Sequence, residues 1–307
     1  MQLKLLVLSL LSVFCYALYV KLFKKARQYE RKEGLASHQI KNGTITMGGI
    51  IFVVLPLFFI WYDAKTFNIA FTMFCYGILG FVDDLLITLK HNNKGIPPTL
   101  KLILQIAIAA ISFLLYLKSD LPTTLNLFFI NIEIKWLFGL VLLAVLASST
   151  NAFNLTDGVD GLCAGLSLLM SLAFIWIALE KGEYSIAYML ICLDICLFVF
   201  WCFNLPKAFL FMGDTGSLSL GAFYAITAMY LNSLIGFVIL AGIFIFETVS
   251  VMLQVFYFKK TGGKRLFKMA PFHHHLEAIG MKEVMIDILF YLVEIILIVI
   301  VLYFKIY

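Results

Sequence analysis

About ten stretches of this chain are apolar for close to twenty residues each. They lie near 3–23, 47–62, 66–86, 100–117, 136–153, 162–179, 184–203, 215–232, 234–258 and 284–304, and the second is short with indistinct ends. A bilayer core takes about 20 apolar helical residues to cross. Only helices and closed barrels satisfy their backbone there, so the pattern predicts an all-α polytopic integral membrane protein. Composition agrees: 63% of the 307 residues are hydrophobic and 13% charged, against about 25% charged in a soluble domain. The first window runs straight into charged sequence without a small-residue cleavage site, so it reads as a span rather than a signal peptide. No internal repeat or low-complexity segment interrupts the chain, and residues 1–307 read as a single transmembrane domain.

The cations predict orientation. Of 23 Lys and Arg residues, 17 fall in the loops after the first, third, fifth, seventh and ninth spans. By the positive-inside rule these loops are cytoplasmic and both termini extracytoplasmic. The same cations suit a phosphorylated substrate or anionic membrane lipid; topology alone also accounts for them. The six cysteines, Cys15, Cys75, Cys163, Cys192, Cys196 and Cys202, lie in or beside the spans without metal-like spacing and read as small apolar residues. On the other side, "TLNLFFINIEIKW" alternates around Asn131 as a short extracytoplasmic β-hairpin would.

The polar motifs all fall on the predicted cytoplasmic side: "HQIKNGTITMGG", "GFVDDLL", "NAFNLTDGVDGL", "NLPKAFLFMGDTGS" and "KRLFKMAPFHHHLE". Five clusters far apart in sequence and together at one membrane face can converge on one site. Asp83 and Asp84 end the third span, where a carboxylate costs roughly 2.5–3.5 kcal/mol on insertion scales and the helix dipole disfavours it. Neighbours on a helix point about 100° apart, so one of the pair can meet a metal while the other acts as a base or holds a lysine; an interfacial pair reaching into water is the plainer reading. Asn154, Asp157 and Asp160 recur every three residues, and their amide and carboxylates can hydrogen-bond a nucleoside or sugar, although Asp160 could simply cap the sixth span. Asp214 opens the eighth span in "GDTGS", where it either caps the helix or, with the free N–H groups, holds a phosphate bridged by Mg²⁺. His273, His274 and His275 cannot all face one metal on a helix; as donors among Lys264, Arg265 and Lys268 they suit a pyrophosphate, or else a solvated loop. Lys41 and Thr46 bracket a glycine-containing turn that matches no phosphate loop. Asp194, Glu247 and Glu294 lie inside spans, where ionisable residues usually face the bundle interior, and Glu247, midway along the ninth span, has to pair inside.

Taken in order, "KNGTITMGG", "GFVDDLL", "NAFNLTDGVDGL", "NLPKAFLFMGDTGSLSLG", "ETVSVMLQVFYFK" and "KMAPFHHHLE" resemble the phospho-MurNAc-pentapeptide translocase branch of the polyprenyl-phosphate N-acetylhexosamine-1-phosphate transferases, from about Glu30 to Gly280. The HHH-x-E motif points to this branch rather than to the one that transfers GlcNAc-1-phosphate. The resemblance implies ten transmembrane helices, usually a homodimer, in the bacterial plasma membrane. It implies an Mg²⁺-dependent transfer of phospho-MurNAc-pentapeptide from UDP-MurNAc-pentapeptide to undecaprenyl phosphate, giving UMP and lipid I, in an enzyme that is a target of nucleoside antibiotics. Carried over by motif, Asp214 is the metal ligand, and Asp83 and Asp84 serve the lipid phosphate and its deprotonation. Lys41, Thr46, Asn154, Asp157, Asp160 and Phe211 line the uridine side; Asn204, Glu247 and the three histidines complete the cleft, and Asn151 is a further substrate-binding residue. The chain departs from the family at Ile87 and Thr99, where basic residues are frequent, leaving Lys94 and Lys101 as nearby cations, and at Ile45 and Leu276. A secondary transporter, the rival from another class, would place its site near the bilayer midplane and often shows repeats. No nucleic-acid partner is expected.

Overall fold

A computed structural model describes residues 2–23, 44–90, 95–119, 121–127 and 130–307. Its helices follow the apolar windows: α1 (Gln2–Leu22), α2 (Gly49–Val54, extended by a 3-10 turn over Leu55–Phe58), α3 (Ala64–Lys90), α4 (Pro98–Leu117), α5 (Trp136–Thr156), α6 (Leu162–Glu180), α7 (Tyr184–Asn204), α8 (Gly213–Tyr230), α9 (Leu234–Leu240), α10 (Gly242–Lys260), α11 (Phe272–Ala278) and α12 (Glu283–Tyr303). Among the described residues the sheet is one hairpin, as the alternation predicts: β1 (Thr124–Leu127) runs antiparallel to β2 (Ile130–Glu133), and the structure sets Asn126 opposite Asn131. The protein is an all-α polytopic membrane protein.

Among the described residues, eight helices are long and apolar enough to cross a bilayer: α1, α3, α4, α5, α6, α7, α10 and α12. The other two windows take different forms. The second is too short for a full span because Pro56 enters a 3-10 turn after the six residues of α2. The eighth is α8, the hub of the bundle, buried from Thr215 to Tyr230 with α3 and α5 along its sides. A helix shielded from lipid on every side needs little hydropathy, and α8 carries Ser217, Ser219, Thr227, Gly216 and Gly221, the small residues that let membrane helices approach closely. Gly80 of α3 shows how closely: a Cβ there would run into the backbone of Asp214 and Thr215. The ninth window divides at Ala241 into α9 and α10.

Polar contacts distinguish the two ends of the bundle. At one, Asn68 Nδ2 donates to Ser112 O (2.9 Å) and Tyr230 Oη (2.8 Å), Lys65 pairs with Glu183 at 2.5 Å, and the hairpin docks through Asn126 N–H to Asn232 Oδ1 at 3.0 Å. At the other meet the C-terminal ends of α3, α5 and α7 and the N-terminal ends of α4, α6 and α8, which carry the polar motifs.

Candidate active site

The site is built outward from the start of α8. A helix N-terminus exposes N–H groups without intrahelical partners, and here another helix supplies the acceptors. Asp84 Oδ1 accepts the Asp214 N–H at 3.0 Å; Asp84 Oδ2 accepts the Thr215 N–H at 2.9 Å and its hydroxyl at 2.7 Å. Gly80, one turn earlier on α3, permits the approach that makes this possible.

Asp83, rotated about 100° from Asp84, faces α4 instead. Its Oδ1 accepts the Ile96 N–H and its Oδ2 the Lys101 ammonium at 3.0 Å. Lys101 Nζ also contacts Asp214 Oδ2, while Asp214 Oδ1 accepts from Asn154 Nδ2 at 2.6 Å. That amide lies 3.1 Å from Ser217 Oγ. Residues from α3, α4, α5 and α8 thus form one chain of contacts, Asp83–Lys101–Asp214–Asn154. It stays accessible: the side chains of Lys101 and Asp214 are 17% and 22% exposed, that of Asp83 only 8%.

A second group of the sequence-predicted residues holds backbone. Gly161 opens α6 with a positive φ of 86°, a conformation natural to glycine. Its N–H donates to Asn204 Oδ1 at 3.0 Å, its carbonyl accepts the Tyr291 hydroxyl at 2.7 Å, and Asn204 Nδ2 donates to Leu210 O at 2.9 Å. Asp160 does not cap α6; its Oδ2 accepts the N–H groups of Lys207 and Ala208 at 3.1 and 3.0 Å. The segment so held runs parallel to residues 45–49: Phe211 N–H donates to Ile45 O at 2.8 Å and Gly48 N–H to Phe211 O at 2.9 Å. Thr46 is buried there and its carbonyl accepts the Tyr19 hydroxyl at 3.0 Å. Phe211 is half-buried beside it.

The histidines form the start of α11 rather than a solvated loop. Both carboxylate oxygens of the buried Glu247 accept the His273 N–H, at 3.2 and 3.3 Å. The His273 ring lies against Gly158 in the α5–α6 turn, bringing α11 to that turn and its neighbour Asp157. His274 Nδ1 is 2.7 Å from Glu277 Oε2, and His275 Nδ1 accepts the Lys268 N–H at 3.2 Å. Asn151, exposed one turn before Asn154, donates to Ala147 O at 2.7 Å. Lys41 and Lys94 lie outside the described residues. Sequence reasoning missed Thr215, Ser217 and Tyr291. The first two stand in the "GDTGS" motif as visible hydroxyls at a helix start; Tyr291 sits in an apolar span with no signal around it.

This is an integral membrane protein with an acid–lysine–amide cluster at the ends of its helices, the layout of an enzyme that works where membrane meets water. The glycosyl transferase family 4 model matches residues 66–232, more than half of the chain, and the chain belongs to that family. Among curated proteins it is similar to the phospho-N-acetylmuramoyl-pentapeptide-transferase of Staphylococcus saprophyticus, 39% identical over 89% of this chain and 88% of the relative. The proteins of the same description from Enterococcus hirae (39% identical, 92% and 90% covered) and Geobacillus thermodenitrificans (36%, 92% and 91%) match over similar lengths.

Proposed function

We propose that the chain transfers phospho-MurNAc-pentapeptide from UDP-MurNAc-pentapeptide to undecaprenyl phosphate, giving lipid I and UMP for peptidoglycan synthesis. The observation that carries the chemistry is the convergence of Asp83, Lys101, Asp214 and Asn154 at one end of the bundle. The relatives' shared description carries the choice of substrate. The 17 cations of the odd loops support a cytoplasmic site in the bacterial plasma membrane, with both termini outside. The family resemblance supports a homodimer.

One substrate is a water-soluble diphosphate and the other a lipid whose phosphate stays at the interface. In the overall transfer an oxygen of the lipid phosphate bonds to the sugar-bearing phosphorus, and the P–O bond to UMP breaks. Positioning and electrostatics dominate such reactions. Asp83, which faces Lys101 rather than a helix end, would take the proton of the lipid phosphate. Asn154, its amide also hydrogen-bonded to Ser217, holds Asp214 in one orientation. Phe211, its backbone pinned on both sides beside Thr46, can offer its ring to uracil, and the family resemblance adds Lys41 to the uridine side. Asp157 and the histidines of α11 border the turn where the diphosphate would lie.

The donor set suits Mg²⁺. Among the described residues no three His, Cys, Asp or Glu side chains form a metal cage, but Mg²⁺ is held by one or two carboxylates plus substrate phosphates. Asp214 would hold it, and Asp83, across the Lys101 ammonium from Asp214, would stay free to act as base. The ion would supply charge stabilisation for the leaving UMP.

The test is a side-by-side assay of purified protein with radiolabelled UDP-MurNAc-pentapeptide and UDP-GlcNAc, each with undecaprenyl phosphate and Mg²⁺. Label should enter the lipid fraction only from the first. Transfer from UDP-GlcNAc instead would assign the sibling activity, and transfer from neither would refute the reading.

A further inference from the structure

Lys101 is the residue whose ammonium reaches both Asp83 and Asp214. Its location is unusual for a lysine. It stands in the first turn of α4, three residues after Pro98, where the positive end of the helix dipole disfavours a cation. What holds it is the pair of carboxylates, each from a different helix.

We propose that Lys101 is an exchangeable counterion: it closes the space between Asp83 and Asp214 when no divalent cation is present, and it turns its ammonium to the phosphate of the lipid substrate when one arrives. This rests on the transferase reading. Two carboxylates a lysine apart repel each other unless a cation lies between them, and a divalent ion offsets that repulsion better than an ammonium can. The lysine stem has four rotatable bonds, so the head can leave while its root stays fixed. Once released, it stands beside the N-terminus of α4, and N–H groups with a cation beside them are a setting for phosphate. The exchange would keep the two acids ordered before the metal arrives and still leave a lysine for the lipid.

The test uses the intact protein in detergent, with two readouts. In the wild type, acylation of lysines is followed by mass spectrometry with and without Mg²⁺. Labelling of Lys101 should rise at least threefold with Mg²⁺, while Lys65, paired with Glu183 at the opposite end, stays unchanged. Independently, Mn²⁺ binding is measured by electron paramagnetic resonance. Lys101→Met should bind Mn²⁺ about tenfold more tightly than wild type, Lys101→Arg should stay close to wild type, and Asp214→Asn should lose binding. The acylation arm decides the matter if Lys101→Met fails to fold. Mn²⁺ binding that needs Asp214, with Lys101 labelling indifferent to Mg²⁺ and no tightening in Lys101→Met, would overturn the counterion and leave the metal site standing. Absence of Mn²⁺ binding in both wild type and Lys101→Met would overturn the counterion and the metal assignment together, while the radiolabel assay would still report on the transferase reading.

Discussion

Asp83 and Asp84 are neighbours in sequence with different work. Asp84 accepts three hydrogen bonds at the start of α8; Asp83 meets Lys101 and the Ile96 N–H. Asp84→Ala should therefore lower stability by about 2 kcal/mol, the scale of a lost cap with N–H groups left buried, and Asp84→Asn should recover part of it. Asp214→Asn should keep the thermal midpoint, since the helix is capped by Asp84, yet lower turnover by about 100-fold or more, the scale of losing one preorganised electrostatic group. Thermal unfolding in detergent beside the radiolabel assay separates the two. Equal stability losses at Asp84 and Asp214 would refute the division. The sequence showed that the two acids diverge, because helical geometry demands it. It did not show which one caps, because the capped amides lie about 130 residues further on. Asp160 and Asn204 were legible as polar residues at a helix end, but their partners Lys207, Ala208 and Leu210 belong to a loop that only tertiary structure brings to them.

Among the elements, the contact between α3 and α8 decides the geometry of the site. It places Asp84 on the α8 amides and Asp83 beside Asp214, and it depends on Gly80. Gly80→Ala puts a methyl group against backbone, which cannot rotate away, and overpacking of this kind costs about 1–3 kcal/mol. Activity should fall further than stability, because the two acids are displaced from Asp214 together. A midpoint and turnover both unchanged would show that the helices can separate without harm. The spans were readable from hydropathy because lipid demands apolar surface from each of them. The two exceptions have physical reasons. Helix α8 faces protein rather than lipid, and the second window is interrupted by Pro56. The break at Ala241 had no such marker, since apolar sequence continues on both sides of it.

For the whole molecule, the cations predict which end of the bundle faces the cytoplasm. In spheroplasts, a membrane-impermeant thiol reagent should label a cysteine placed at Asn126 in the hairpin and leave one placed at Gly262, between α10 and α11, unlabelled until the membrane is opened. The reverse pattern would invert the topology. The two ends also bear on how such a chain is made. Asp84, Asp160 and Glu247 each precede in sequence the amides they receive, at Asp214 and Thr215, at Lys207 and Ala208, and at His273. Synthesis runs from the N-terminus, so each of these acceptors is already made when its donors emerge. A backbone N–H left buried without an acceptor costs about 1–3 kcal/mol. In each pair the acid is laid down first, and the late segment arrives at a socket that earlier helices have brought to the membrane.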